Sequence, residues 1–207
     1  MQMTENESPA LSLPERVHAD ILDWCKGRSW GLRVPLWLFM GYVGLNQFWD
    51  PKYAFESLFA GINLGIHEGG HLLFRGCGEF IGVSGGTFLQ LAAPTGSMFM
   101  FLKQRDYFAI AVCFGWLSTN LMATAVYMAD AELMNLPLVT VGGGGGEVIH
   151  DWRYLFSHLG LLSGCTQIGW MTRQAANICM LVCMVGGALL MWTMHQSSVS
   201  QTRRKPG

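Results

Sequence analysis

Five apolar runs, 33–49, 54–74, 80–102, 107–129 and 174–194, dominate this chain, divided by short clusters of charge. Each run is about 17–23 residues long, the length an α-helix needs to cross the hydrocarbon core of a bilayer. Only 13% of the residues are charged and 51% are hydrophobic, whereas a soluble domain carries about 25% charged residues. The pattern predicts an all-α fold, a polytopic transmembrane helix bundle. A lead and an interfacial amphipathic helix occupy 1–32, the helical domain 33–195, and a short basic tail 196–207. Trp30, Trp37, Trp49, Tyr53, Tyr107, Tyr127, Trp170 and Trp192 fall mostly near the run ends, where interfacial aromatics belong.

The number of spans is five or six. Between the fourth and fifth runs, Leu155 to Trp170 is apolar but short and contains Gly160, Ser163 and Gly164. With five spans the Lys and Arg residues divide seven against six across the membrane; with six they divide nine against four. The positive-inside rule favours the second arrangement, with both termini cytoplasmic. Ser12-Leu13-Pro14-Glu15 reads as a capping box, followed by Val17, Ile21 and Trp24 on one face. That helix suits the membrane surface and equally a solvated surface. The acidic first 30 residues, with no early apolar core, do not read as a cleavable signal peptide. A net charge of −1 gives no broad field for nucleic acid. The cysteines form no CxxC pair and read as small hydrophobes.

The residues that carry chemistry are His67-Glu68-Gly69-Gly70-His71. On a helix, His67 and His71 share a face, one turn apart. Two imidazoles so placed bind one metal ion, with Glu68 positioned to polarise a bound water. Two histidines and a glutamate inside an apolar span are costly in lipid and are functional candidates by default. The plainer reading is a polar cluster satisfied by hydrogen bonds between helices. Asn63, His67 and His71 form one stripe. Gly61, Gly65 and Gly69 form another, nearly opposite, expected to admit a neighbouring helix and to make this a central helix. Gly70 leaves room beside the motif for a substrate or partner backbone.

A catalytic zinc needs a further protein ligand and an open position. The leading candidates are His150 and Asp151, which follow the run Gly142 to Gly146; Asp151 serves either as ligand or as the acceptor that orients a ligating imidazole. His158, Glu147 and Asp130 are weaker alternatives, and a polar loop with an interfacial Trp152 is the plain one. Gln90, Ser118, Thr119 and Asn120 are expected to bond to other helices or to stand behind the ligands. Pro94 with Gly96 is expected to kink the third span.

A short multi-pass protein with HExxH in a span resembles the site-2-protease class of intramembrane zinc metalloproteases. The resemblance rests on His67, Glu68 and His71. It implies Glu68 as general base, the two histidines as ligands to one zinc, and an aspartate from a later hydrophobic segment as the third ligand. That family's Asp-Gly and Asn-Pro contexts are missing here, and His150-Asp151-Trp152 is the nearest counterpart. The chain is also similar, over about residues 55–165, to small bacterial multi-pass membrane proteins that pair such a motif with a Gly-rich stretch ending in His-Asp-Trp.

The implied function is a membrane-embedded zinc hydrolase, a peptidase of the bacterial inner membrane acting on a membrane peptide or lipid-linked substrate. Iron in place of zinc, a structural metal, and a non-catalytic subunit of a larger membrane complex or homo-oligomer are the alternatives.

Overall fold

The computed structural model describes residues 12–136 and 150–203. They are helical, with no strand among the described residues. Seven α-helices follow in order: α1 (Leu13–Cys25), α2 (Val34–Trp49), α3 (Leu58–Phe74), α4 (Glu79–Lys103), α5 (Tyr107–Ala129), α6 (Asp151–Leu159) and α7 (Cys165–Arg203). The glycine run 142–146 and Glu147 lie outside the described residues.

The predicted capping box forms, with the Glu15 carboxylate accepting from the Ser12 amide at 2.8 Å and the Ser12 hydroxyl at 2.7 Å. The apolar face of α1 divides along its length. Val17 stays exposed, while Trp24 and Cys25 are buried with Phe108, Met191 and Met194. Asp20 ties α1 to Arg105 and Tyr107 at the start of α5.

α5 is the centre of the bundle and packs most extensively on α7. Its small residues Ala111, Cys113, Gly115, Ser118, Ala123 and Ala125 are what let neighbouring helices come close. The apolar run 107–129 and α5 coincide. α5 and the segment Leu162–Ser200 are each long and apolar enough to cross a membrane. α2 and α3, with 16 and 17 residues, are about 24–26 Å long, just under the thickness of a hydrocarbon core. α4 has 25 residues, but its Gly, Ser, Thr and Gln dilute its hydropathy. It runs unbroken through Pro94.

Two expectations are corrected. Leu155 to Trp170 is not one helix. α6 has nine residues, about 14 Å at 1.5 Å per residue, and ends at Gly160, whose φ of +68° is a left-handed cap that glycine adopts freely. After a 3₁₀ turn at Leu162–Gly164, α7 starts at Cys165 and continues for 39 residues. The apolar segment is therefore split, and its second part belongs to the last helix.

The glycine stripe is also not where helix backbones meet; of its members only Gly69 comes near α4, at the Leu89 side chain. Gly61 and Gly65 face open space, and Leu58, Ile62, Leu72 and Leu73 on α3 are exposed, so α3 is peripheral. Close approach occurs one residue further round the helix. A Cβ on Gly70 would run into the Gly85 carbonyl and the Cα of Gly86, so α3 and α4 cross backbone to backbone at these glycines.

Candidate metal centre

The stripe predicted on α3 forms, and it faces α5 and α4. Asn63 at its base is buried, donating to Thr119 Oγ1 at 3.2 Å and accepting from Trp116 Nε1 at 2.8 Å. These bonds set the rotation of α3 about its axis. Ser118 likewise bonds across helices, to Gln47 at 2.7 Å, whereas Asn120 turns back to the Trp116 carbonyl of its own helix.

One and two turns above Asn63, the imidazoles of His67 and His71 stand edge to face with ring centroids 4.7 Å apart. Each is held from behind by α4. Nδ1 of His67 is 2.9 Å from Gln90 Oε1, and Nδ1 of His71 is 2.9 Å from the Gly82 carbonyl. A carbonyl accepts only, so Nδ1 of His71 carries the proton and Nε2 of the neutral ring has a free lone pair. The buried Gln90 amide sets His67 the same way.

The third group comes from the start of α6. Tyr127 Oη on α5 accepts the Asp151 amide at 3.1 Å. His150 caps α6, its Nδ1 accepting from the Arg153 amide at 3.2 Å. The Arg153 guanidinium donates to the carbonyls of Ala131 and Glu132 in the turn that follows α5. Beneath them, Phe156 and Cys165 pack with Ala131. So held, Asp151 extends its carboxylate to the histidines. Its Oδ2 lies 2.9 Å from Nε2 of His67 and 3.1 Å from Nε2 of His71, and the two Nε2 atoms are 3.1 Å apart.

Three nitrogen and oxygen atoms thus converge on one point; in the neutral Nδ1-protonated tautomers no hydrogen stands between them, whereas an imidazole protonated on Nε2 donates to the Asp151 carboxylate. Such a cluster could hold a cation at its centre. Burial alone would raise the Asp151 carboxyl, but hydrogen bonds to His67 and His71 outweigh it and hold the group below the ordinary carboxylate range. His67, His71 and Asp151 form the group that could hold a metal ion among the described residues. The geometry fits. A point about 2 Å from all three atoms, the usual zinc–nitrogen and zinc–oxygen distance, lies roughly 1 Å off their plane and leaves a fourth position open.

Glu68 makes no hydrogen bond or ion pair among the described residues. Its charge acts on both His71 and Tyr127, which places it beside the group without filling it. His150 is not brought to the shared point. It is buried, its ring lies 4.2 Å from that of Tyr127, and its Nε2 faces Asp130 at 3.6 Å. Burial keeps it below the usual imidazole value, as a neutral capping residue. His158 turns outward, bonded to the Tyr154 carbonyl, and Asp130 accepts from the amides of Asn135 and Leu136.

Gly82, Gly86 and Tyr127 belong to the site without any motif to announce them. The tight pair Gly85-Gly86 in an apolar run was the available signal. A Cβ on Gly86 would stand 2.5 Å from Nε2 of His71 and 2.8 Å from Cε1 of His67. Gly86→Ala is therefore expected to push the imidazoles apart and weaken metal affinity by about tenfold or more, within the range of changes that disturb ligand orientation. Competition with a chromogenic chelator measures it, and unchanged affinity would mean that the rings have room to spare. No protein-family model, no curated protein and no solved structure matches this chain.

Proposed function

We propose that this protein is a multi-pass integral membrane zinc-dependent hydrolase, a peptidase acting within or at the bilayer. The observation that carries the reading is the convergence of Nε2 of His67, Nε2 of His71 and Oδ2 of Asp151 on one point, each 2.9 or 3.1 Å from the others, with a carboxylate, Glu68, left over beside them. A structural metal site closes all four positions with protein ligands, and a catalytic one keeps a position open. Three ligands and a free carboxylate favour the second. The third ligand, an aspartate from a later segment, also accords with the resemblance to intramembrane zinc metalloproteases.

In this reading α2, α3, α4, α5 and α7 cross the bilayer, and α6 is a short buttress that carries Asp151. The exposed apolar side chains of Leu38, Leu45, Phe88, Phe99, Ile178 and Leu189 face lipid acyl chains. A zinc ion held by the three ligands would lower the pKa of its water towards 7 and polarise a substrate carbonyl. Glu68 accepts the proton as the water oxygen bonds to the carbonyl carbon. The C–N bond then breaks, and Glu68 returns the proton to the leaving amine. Gln90 and the Gly82 carbonyl keep both imidazoles in the ligating tautomer throughout.

The test is hydrolysis. Protein reconstituted in nanodiscs with zinc is incubated with a set of single-span peptides, and new termini are read by mass spectrometry. Cleavage that stops on adding 1,10-phenanthroline and returns with zinc is expected. A metal-loaded protein that cleaves none of them, nor an acyl ester of a lipid, would overturn the hydrolase reading.

A further inference from the structure

The three ligand groups are not equally covered. Their side chains are 12% exposed for His67, 10% for Asp151 and 26% for His71, so the approach to the shared point runs past His71. On that side the α3–α4 hairpin forms an open, shallow depression of about 340 Å³ lined by His71, Arg75, Gly78, Glu79, Gly82 and Leu72. Arg75 continues the stripe Asn63, His67, His71 by one further turn. Its backbone is still helical as the C-cap of α3, so it lies about 6 Å along the axis from His71 on the same face. Among the described residues the guanidinium makes no hydrogen bond or ion pair. The other charge in the depression, Glu79, acts electrostatically on Tyr154.

An unpaired guanidinium one turn from a reacting centre is a receptor for the paired oxygens of a carboxylate or phosphate. We infer that Arg75 binds the anionic end of the substrate. The substrate class is an acyl compound with a negatively charged group on the Arg75 side of the reacting carbonyl. The C-terminal residue of a peptide is one source of that chemistry and a phosphate-bearing headgroup the other. The inference rests on the metal-site reading and adds to it the polarity of the substrate and the direction from which it enters.

Three zinc-binding probes test it by calorimetry on the full-length, zinc-loaded protein: acetohydroxamate, a hydroxamate with a carboxylate tail, and one with a phosphonate tail. In the wild type an anionic-tailed probe is expected to bind about tenfold or more tighter than acetohydroxamate, as a charge-assisted hydrogen bond warrants. The preference survives in part in Arg75→Lys and disappears in Arg75→Gln, with zinc content equal in all three. A larger gain for the carboxylate assigns the peptide C-terminus, and a larger gain for the phosphonate assigns the headgroup. Equal affinity of all three probes in the wild type, or a preference that persists in Arg75→Gln, overturns the inference and leaves the metal site standing. Failure to retain zinc or bind acetohydroxamate overturns the metal site, and this inference with it.

Discussion

Metal analysis of the detergent-purified protein is expected to give about one zinc per wild-type chain, as a single three-ligand site requires, and none in His67→Ala, His71→Ala or Asp151→Ala. In His150→Ala the metal is expected to stay. Both neighbours, His150 and Asp151, are chemically suited to be the third ligand, and only their contacts separate them. His150 spends Nδ1 on the Arg153 amide and turns Nε2 towards Asp130. Asp151 directs Oδ2 at both imidazoles. Removing Asp151 leaves two neutral rings, too few to hold zinc against a competing chelator. Removing His150 takes away a helix cap and a buried ring, a loss of about 1–2 kcal/mol in stability by comparison with other caps, but no ligand. The pair of variants therefore distinguishes a metal effect from a folding effect. Loss of zinc in His150→Ala, with normal thermal unfolding, would show that the third ligand has been misassigned; zinc retained in Asp151→Ala would do the same.

The second large effect concerns Glu68. Glu68→Gln is expected to bind zinc as the wild type does and to lose turnover by about 10²–10⁴-fold, the contribution of a general base. Gln has the shape of Glu and cannot take a proton. Glu68 lies beside the ligand group without touching it, so the replacement leaves His67, His71 and Asp151 undisturbed. The comparison to make is kcat against zinc content in the same preparation. Full activity in Glu68→Gln at equal zinc would remove it from the mechanism, whereas loss of both would make it a structural support of α3.

Part of this centre can be read from spacing alone. His67 and His71 share a face because an α-helix repeats every 3.6 residues, and no other contact is needed to know it. The same is true of Asn63 below them, whereas Arg75 lies beyond the run 54–74 and only its helical backbone as the C-cap of α3 puts it on that face. The apolar run 107–129 coincides with α5 because a helix enclosed by its neighbours excludes charge, and no Asp, Glu, Lys or Arg falls within it. Ser12 and Glu15 meet because a capping box is local.

Everything decided by distant partners stayed open in the sequence. Asp151 rather than His150 reaches the histidines because Tyr127, more than twenty residues earlier, holds the Asp151 amide, and because Arg153 is anchored to the turn that follows α5. Adjacent residues on a helix point about 100° apart, so such long-range bonds choose which one faces inward. Gly70 and Gly86, not the regular stripe Gly61, Gly65 and Gly69, meet at the helix crossing, since spacing shows that glycines align but not which line another helix will use. Leu155 to Trp170 carries no Asp, Glu, Lys or Arg, yet Gly160 ends one helix and Cys165 begins another, which hydropathy does not register. Periodicity belongs to the backbone of a single helix and is written in the sequence. The rotation of each helix against its neighbours is a property of packing, and it is this rotation that assembles three candidate metal ligands from α3 and α6 at one point.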